Sequence, residues 1–369
     1  MKYMDEFRNR SLVTALARQI HQEADRPVRI MEVCGTHTMA IFRHGIRDML
    51  PACIELVSGP GCPVCVTPSG TIDAFIDLAR RTDITITTFG DMLRVPGTST
   101  DLSLAWARAR AQGADVRIVY SPMDALTLAA REPDRQVVFL AVGFETTIPT
   151  IAATILAAER EDIANFSIFP AVKTMKAPLK TLMEDPEVRV DGLLCPGHVS
   201  IIVGSDNFKF LSDEHGLACA VAGFEPTDIL QGVLALIRQI NAGAPTVENC
   251  YGRAVTGAGN RKARQIMDKV FTAADSEWRG LGLIPNSGLC LRTQYEKFDI
   301  TRRLALTVPP SVEPRGCRCG DILRSICAPP DCPLFGRACT PANPIGPCMV
   351  SSEGTCAAWH KYHAEETLP

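Results

Sequence analysis

The sequence predicts an α/β protein with two related parallel-sheet domains and a separate cysteine-rich C-terminal region. Three observations carry this. Eight short β-rich runs alternate with amphipathic stretches from Val28 to Asn241, the pattern of parallel strands joined by right-handed helical crossovers. Ala141-Val-Gly-Phe-Glu-Thr is echoed by Val221-Ala-Gly-Phe-Glu-Pro, which favours two units over one large sheet or a closed barrel. Of fifteen cysteines, seven fall in the last 53 residues: Cys317, Cys319, Cys327, Cys332, Cys339, Cys348 and Cys356.

Taken in order, Phe7, Leu12, Ala15 and Ile20 recur at helical spacing, so Tyr3 to about Glu23 forms an opening helix. The predicted strands are Val28–Val33, Ile54–Val57, Ile84–Thr88, Val116–Tyr120, Val137–Val142, Phe166–Ala171, Gly192–Cys195 and Ala218–Ala222. The predicted helices are Met39–Leu50, Thr71–Arg81, Leu102–Gln112, Met123–Arg131, Pro149–Glu161, Pro178–Glu184, Asn207–Glu214 and Thr227–Asn241. Past Ala244 the rhythm changes. Thr256-Gly-Ala-Gly-Asn precedes a helical run Arg261–Ala274, and Gly280-Leu-Gly and Pro285-Asn-Ser-Gly read as loops. The expected layout is an N-terminal helix over 1–26, α/β domains over 27–132 and 133–245, and a C-terminal region over 246–369. That last region has too few large apolar residues for its own core, so bound metal is expected to hold its end together.

Composition narrows the chemistry. The chain has 369 residues, 46% hydrophobic and 21% charged, with 41 acidic residues against 38 basic ones. This near balance predicts no nucleic-acid partner, and aromatics at 6% offer few stacking surfaces for single strands. The opening residues lack a secretory apolar stretch, and runs such as Val137–Phe144 are far too short to span a membrane. A cytoplasmic protein is expected. In that reducing compartment a dense cysteine tract holds metal or does redox chemistry.

The C-terminal spacings match neither paired zinc knuckles nor the bacterial ferredoxin run, so the tract indicates metal or cluster without naming it. Buried free cysteines are the plain alternative. Cys62-Pro-Val-Cys65, between a strand and a helix, reads as a redox dithiol, a metal pair or an accidental spacing. Gly59, Pro60 and Gly61 let the chain turn sharply and bring those sulfurs into the open. Cys34-Gly-Thr-His-Thr38 puts Cys34 and His37 at the carboxyl end of a strand, where open α/β sheets keep their sites, with Thr36 or Thr38 capping the next helix. Cys195-Pro-Gly-His198 falls at another strand end and either faces the same crevice or forms a tight or cis-proline turn. Gly143-Phe-Glu-Thr-Thr147 places a carboxylate and two hydroxyls where they suit a polar ligand. Thr256–Asn260 lacks the lysine of a phosphate-binding loop. No hydrolase constellation is present.

Together, Cys34-Gly-Thr-His-Thr, Gly59-Pro-Gly-Cys-Pro-Val-Cys, Gly143-Phe-Glu-Thr-Thr, Cys195-Pro-Gly-His and Gly346-Pro-Cys-Met-Val-Ser-Ser-Glu-Gly-Thr-Cys-Ala-Ala resemble the HypD family of hydrogenase maturation proteins over almost the whole chain. The resemblance implies assembly of the iron carrying cyanide and carbon monoxide found in nickel–iron hydrogenases. It implies a HypC-type small chaperone that shares the iron and a HypE-type protein that donates cyanide. It also implies an iron–sulfur C-terminal region packed with the N-terminal helix. Carried over, Cys34 ligates the iron, with His37 beside it, and Cys62 and Cys65 lie in the cleft as a redox pair or further ligands. Cys317, Cys332, Cys339 and Cys356 hold a 4Fe–4S cluster, leaving Cys319, Cys327 and Cys348 outside it. Low-spin iron with such ligands prefers thiolates to carboxylates. The competing expectations are a 4Fe–4S-dependent thiol–disulfide oxidoreductase and a zinc-binding interaction protein.

Overall fold

The computed structural model describes residues 5–99, 101, 104, 105, 107, 108 and 113–363. All eight expected strands are present: β1 (Val28–Glu32), β2 (Ile54–Ser58), β3 (Ile84–Thr88), β4 (Asp115–Ile118), β5 (Gln136–Gly143), β6 (Phe166–Val172), β7 (Gly192–Cys195) and β8 (Ala218–Val221). A short β9 (Val247–Asn249) follows. Residues 137–143 of β5 are all buried, as expected for parallel strands covered on both faces.

The strands build two parallel sheets, ordered β2-β1-β7-β8-β9 and β4-β3-β5-β6. They do not divide as 27–132 and 133–245. The first sheet takes β1 and β2 from one stretch and β7, β8 and β9 from another, with Ile30 opposite Gly192. The second sheet, β3 to β6, is inserted between those stretches. An apolar run specifies burial but not its neighbour. β7, buried throughout, satisfies both its edges between β1 and β8. The echoed Gly-Phe-Glu segments follow β5 in one sheet and β8 in the other.

The opening helix spans Arg10–Glu23, with the Asn9 side chain accepting from the Ser11 and Leu12 N–H groups. It buries Val13, Leu16 and Ile20, whereas Leu12 and Ala15 face outward. It packs on the helix Pro226–Ala242. The cysteine-rich end instead sends its last helix, Thr355–His363, onto the helix Gly35–Arg43. The stretch expected as Met39–Leu50 is two helices, Gly35–Arg43 and Ile46–Met49, broken at Gly45, whose φ of 60° suits glycine. The expected helix Leu102–Gln112 falls largely outside the described residues.

The helix after Asn260 ends at Val270, not Ala274. It passes into an antiparallel hairpin, β10 (Phe271–Trp278) with β11 (Gly282–Leu291), where loops were expected. The hairpin meets the end of β6 through a bridge between Lys173 and Gly288. Much of it is exposed, including Leu283, so it lacks the apolar alternation that announces a strand. No helix among the described residues is long and apolar enough to cross a membrane.

One ion pair ties the first sheet to the chain's start. Asp228 is fully buried and accepts from both Arg253 Nη atoms at 2.6 Å. The guanidinium lies 3.7 Å from the centre of the Phe7 ring. Removing one partner of a buried pair strands the other charge. Arg253→Met is therefore expected to lower unfolding free energy in urea by about 3 kcal/mol, and Asp228→Asn in that background should recover part of the loss.

Candidate functional site

The carboxyl ends of β1, β5 and β7 converge on a cleft of about 400 Å³, lined by Cys34, Thr36, Gly61, Phe144, Thr147, Pro196, His198 and Glu353. Five sequence motifs thus meet in one place, in the position expected for open parallel sheets. Cys34 sits at the N-cap of the helix Gly35–Arg43 without a side-chain cap. Its N–H donates to Glu32 Oε2 at 3.1 Å, and Thr38 Oγ1 donates to Glu32 Oε1 at 2.5 Å. Glu32 therefore closes the turn that presents Cys34. The expected capping by Thr36 or Thr38 does not occur, because their hydroxyls go to Glu353 and Glu32. A Cβ on Gly61 would lie 2.3 Å from the Cys34 nitrogen, so only glycine lets the two loops cross there.

Burial, then the neighbouring Glu353, push the Cys34 thiol up to about 12. Left alone the thiol stays protonated, and a soft metal ion must displace that proton to bind. Burial raises Glu32 to about 7 against the pull of its Thr38 and Cys34 hydrogen bonds.

His37 turns away from the cleft. Its Nε2 lies 2.9 Å from Gly223 O and 3.2 Å from Ala222 O, and its ring sits tilted against Phe224 with centroids 4.8 Å apart. Burial lowers it to about 4, so it is neutral and ties its helix to the loop after β8. The histidine at the cleft wall is His198, its ring 4.0 Å from Phe224. Cys195 is buried behind it, and no cis peptide occurs among the described residues. Glu145 also turns inward. Its Oε1 accepts from the Met175 N–H at 2.9 Å while Oε2 is buried without a partner, leaving Phe144 and Thr147 at the cleft. Burial pushes Glu145 up to about 7.

Cys62 and Cys65 are neither open to solvent nor among the cleft-lining residues. Their sulfurs stand 2.7 Å apart, 4% and 1% exposed, because the turn after Gly61 folds them back beneath the C-terminal region. Cys65 Sγ lies 4.0 Å from Pro347 O. Beyond it Cys319 and Cys348 form a second pair, 2.6 Å apart. Hydrogen bonds from Cys319 and Cys65 hold Cys348 below the ordinary thiol range. Burial, with its Cys348 and Cys62 contacts, pushes Cys65 well above it. A continuous line of sulfur thus runs from Cys62 through Cys65, Cys348 and Cys319 to Cys317.

That line ends at a small cavity walled by Cys317, Cys332, Cys339 and Cys356, with Ile322, Leu334, Phe335 and Met349 between them. Cys319 and Cys348 also border it. Cys327 stands apart, beside Arg29, Ser58 and Trp359. The four thiols fit a 4Fe–4S cluster in donor type, in their dry apolar surroundings and in the Ile345 N–H that donates to Cys339 Sγ at 3.3 Å. Among the described residues no three His, Cys, Asp or Glu side chains are grouped tightly enough to hold one metal ion. A cluster differs from a single ion in spreading its thiolates over separate irons. Sequence spacing did not reveal the Cys319–Cys348 pair or Glu353, although Cys348 and Glu353 lie in the quoted ending.

The family model described as "HypD: Hydrogenase formation hypA family" matches residues 11–363. The "Hydrogenase maturation factor HypD" of Azotobacter vinelandii is 48% identical over 370 residues, 98% of this chain and 97% of that protein. The protein of the same description from Rhizobium leguminosarum bv. viciae is 48% identical over 371 residues, 98% of this chain and 96% of the relative. That of Escherichia coli (strain K12) is 44% identical over 375 residues and covers both chains fully.

The buried carboxyls give the fold a signed pH dependence. Folding raises Glu145 from 4.5 to about 7, so it favours the protonated form. Its stabilising contribution is complete below 4.5 and is lost as pH rises to about 7. Glu145→Gln is expected to match the parent near pH 4.5 and to exceed it by a few kcal/mol at pH 8, read as urea midpoints across that range.

Proposed function

Because this chain belongs to the HypD family of hydrogenase maturation factors, we propose that it is the scaffold on which the iron–dicyanide–carbonyl unit of nickel–iron hydrogenases is assembled. A HypC-type small chaperone shares the iron, and a HypE-type protein delivers cyanide. The observation that carries this reading is one soft thiol, Cys34, at the wall of a roughly 400 Å³ cleft, with a line of sulfur packed behind it. A lone protein thiolate leaves the other positions on the substrate iron for cyanide, carbon monoxide and a partner's ligand. His198 lines the same cleft and offers a ring N–H to the nitrogen end of bound cyanide, whereas the Thr36 hydroxyl is held by Glu353.

Cys317, Cys332, Cys339 and Cys356 would hold the 4Fe–4S cluster, which supplies one-electron transfer when bound. The chain's own thiols handle electron pairs. When Cys62 and Cys65 are a disulfide, the Cys348 thiolate attacks Cys65 Sγ and Cys62 leaves as thiolate. Cys319 then attacks Cys348 Sγ and frees Cys65. A Cys319–Cys348 disulfide remains, and the two protons lost by that pair end on Cys62 and Cys65. The Cys319 thiol, 2.6 Å from Cys348 and still protonated at that point, favours the Cys348 thiolate as the attacking sulfur.

Two other readings fit less well. An oxidoreductase acting on a protein disulfide needs an open dithiol, and Cys62 and Cys65 are buried. A zinc site needs three or four ligands around one ion, and no such group occurs among the described residues. Fifteen free cysteines suit the reducing cytoplasm.

Purified without oxygen together with its small partner, the protein should show infrared bands of iron-bound cyanide and carbon monoxide. Cys34→Ala should remove those bands and keep the visible absorption of the cluster. Bands that persist in that variant would overturn the assignment of Cys34. Cys348→Ser should leave a Cys62–Cys65 disulfide at least tenfold slower to be reduced, measured by thiol trapping and peptide mapping.

A further inference from the structure

Arg279 follows β10 at the turn of the hairpin and is only 2% exposed. Its N–H donates to Val66 O at 2.9 Å, one residue beyond Cys65. The adjoining Gly280 lies against Gly320: a Cβ on Gly280 would stand 2.3 Å from the Gly320 Cα. The turn is therefore pressed onto the helix Cys319–Leu323. Of the guanidinium, only Nε has a partner, Glu313 Oε2 at 3.0 Å. Nη1 and Nη2 are buried with none.

Such an arrangement is costly unless an anion is present, because a buried guanidinium loses its hydration and needs acceptors for its outer N–H groups. Glu313 is nearly half exposed and meets only one edge. Packed against Gly320, the turn brings the Arg279 charge to bear on the thiols Cys317 and Cys319 at the edge of the cysteine-walled cavity. A 4Fe–4S cluster with four thiolates carries net negative charge, and gaining an electron makes it more negative. A fixed cation beside it in a dry interior stabilises the reduced state more than the oxidised one.

We propose that Arg279 is the buried counter-cation of the cysteine-walled centre and sets how readily that centre accepts an electron. This rests on the reading that the four cysteines hold a cluster, and it assigns a role to a residue outside every cysteine motif. Glu313 moderates the effect by neutralising part of the charge, so the two residues act in opposite directions.

The test is a potentiometric titration of the full chain, purified without oxygen, with dithionite as reductant and the electron paramagnetic resonance signal of the reduced cluster as readout. Arg279→Met is expected to shift the midpoint to more negative potential, Arg279→Lys to keep it near the parent value, and Glu313→Gln to shift it to less negative potential. A purely structural arginine would not produce shifts of opposite sign. Parent midpoints in both Arg279→Met and Glu313→Gln, at parent iron content, would overturn the proposal. If Arg279→Met loses its iron, Glu313→Gln decides by itself: a less negative midpoint upholds the proposal and an unchanged one refutes it. A parent protein without iron would sink the cluster assignment first, and this inference with it.

Discussion

Nine thiols share one apolar core. Cys62, Cys65, Cys195, Cys219, Cys319, Cys332, Cys339, Cys348 and Cys356 are all buried in the cluster that includes Met31, Val33, Leu193 and Val221 of the first sheet region. The C-terminal segment cannot bury enough of itself alone, so it completes this core from outside with Ile322, Leu323 and Met349. Thiols suit that task because a neutral thiol packs like a small hydrophobe. The same burial disfavours their ionised forms. Cys65 and Cys356 are held high by it, and Cys348, hydrogen-bonded by two neighbours, is drawn down.

The stretch from Cys348 to Cys356 turns that shared core into a connection between sites. It begins at Cys348, carries Glu353 to the cleft and ends at Cys356 of the cysteine-walled cavity. Two glycines make the close approaches possible. A Cβ on Gly354 would lie 2.2 Å from Cys348 O, and one on Gly35 would lie 2.5 Å from Glu353 O. Thr36 fixes the far end by donating to Glu353 Oε1 at 2.6 Å. One short stretch of chain therefore contributes Glu353 to the cleft wall and both Cys348 and Cys356 to the cysteine cavity.

The eight principal strands were legible because parallel strands buried on both faces leave unbroken apolar runs, as in Val137–Val142. Their allocation to sheets was not, since nothing within Gly192-Leu-Leu-Cys says that it will pair with Ile30–Glu32. The hairpin from Phe271 to Leu291 escaped notice because Thr272, Ala273 and Leu283 face outward and blur its period. In the site, Cys34 and the clustering of the late cysteines could be read from motif and density. His37 misled because its place beside Cys34 in sequence is not its place in space: one helical turn points it at the Gly223 carbonyl. Arg279 gave no sequence signal at all, since a lone arginine in a loop is ordinarily a solvated one.

The protonation of Cys34 bears on how a scaffold can both take and surrender its cargo. A thiol that ionises near the usual value binds a soft metal at little proton cost and releases it slowly. With burial, Glu353 and Glu32 all disfavouring the thiolate, a Cys34 in the proposed role would hold iron only while the metal outcompetes a proton. On release, a proton restores the neutral thiol that this dry wall prefers. A single such ligand, in place of a closed set of four, gives a partner's ligand a competitive chance at the iron. In the proposed role, a single thiol with acidic neighbours favours transfer, while the apolar cysteine cavity farther inside, bordered by six thiols, four of them the proposed cluster ligands, favours retention by the number of its ligands.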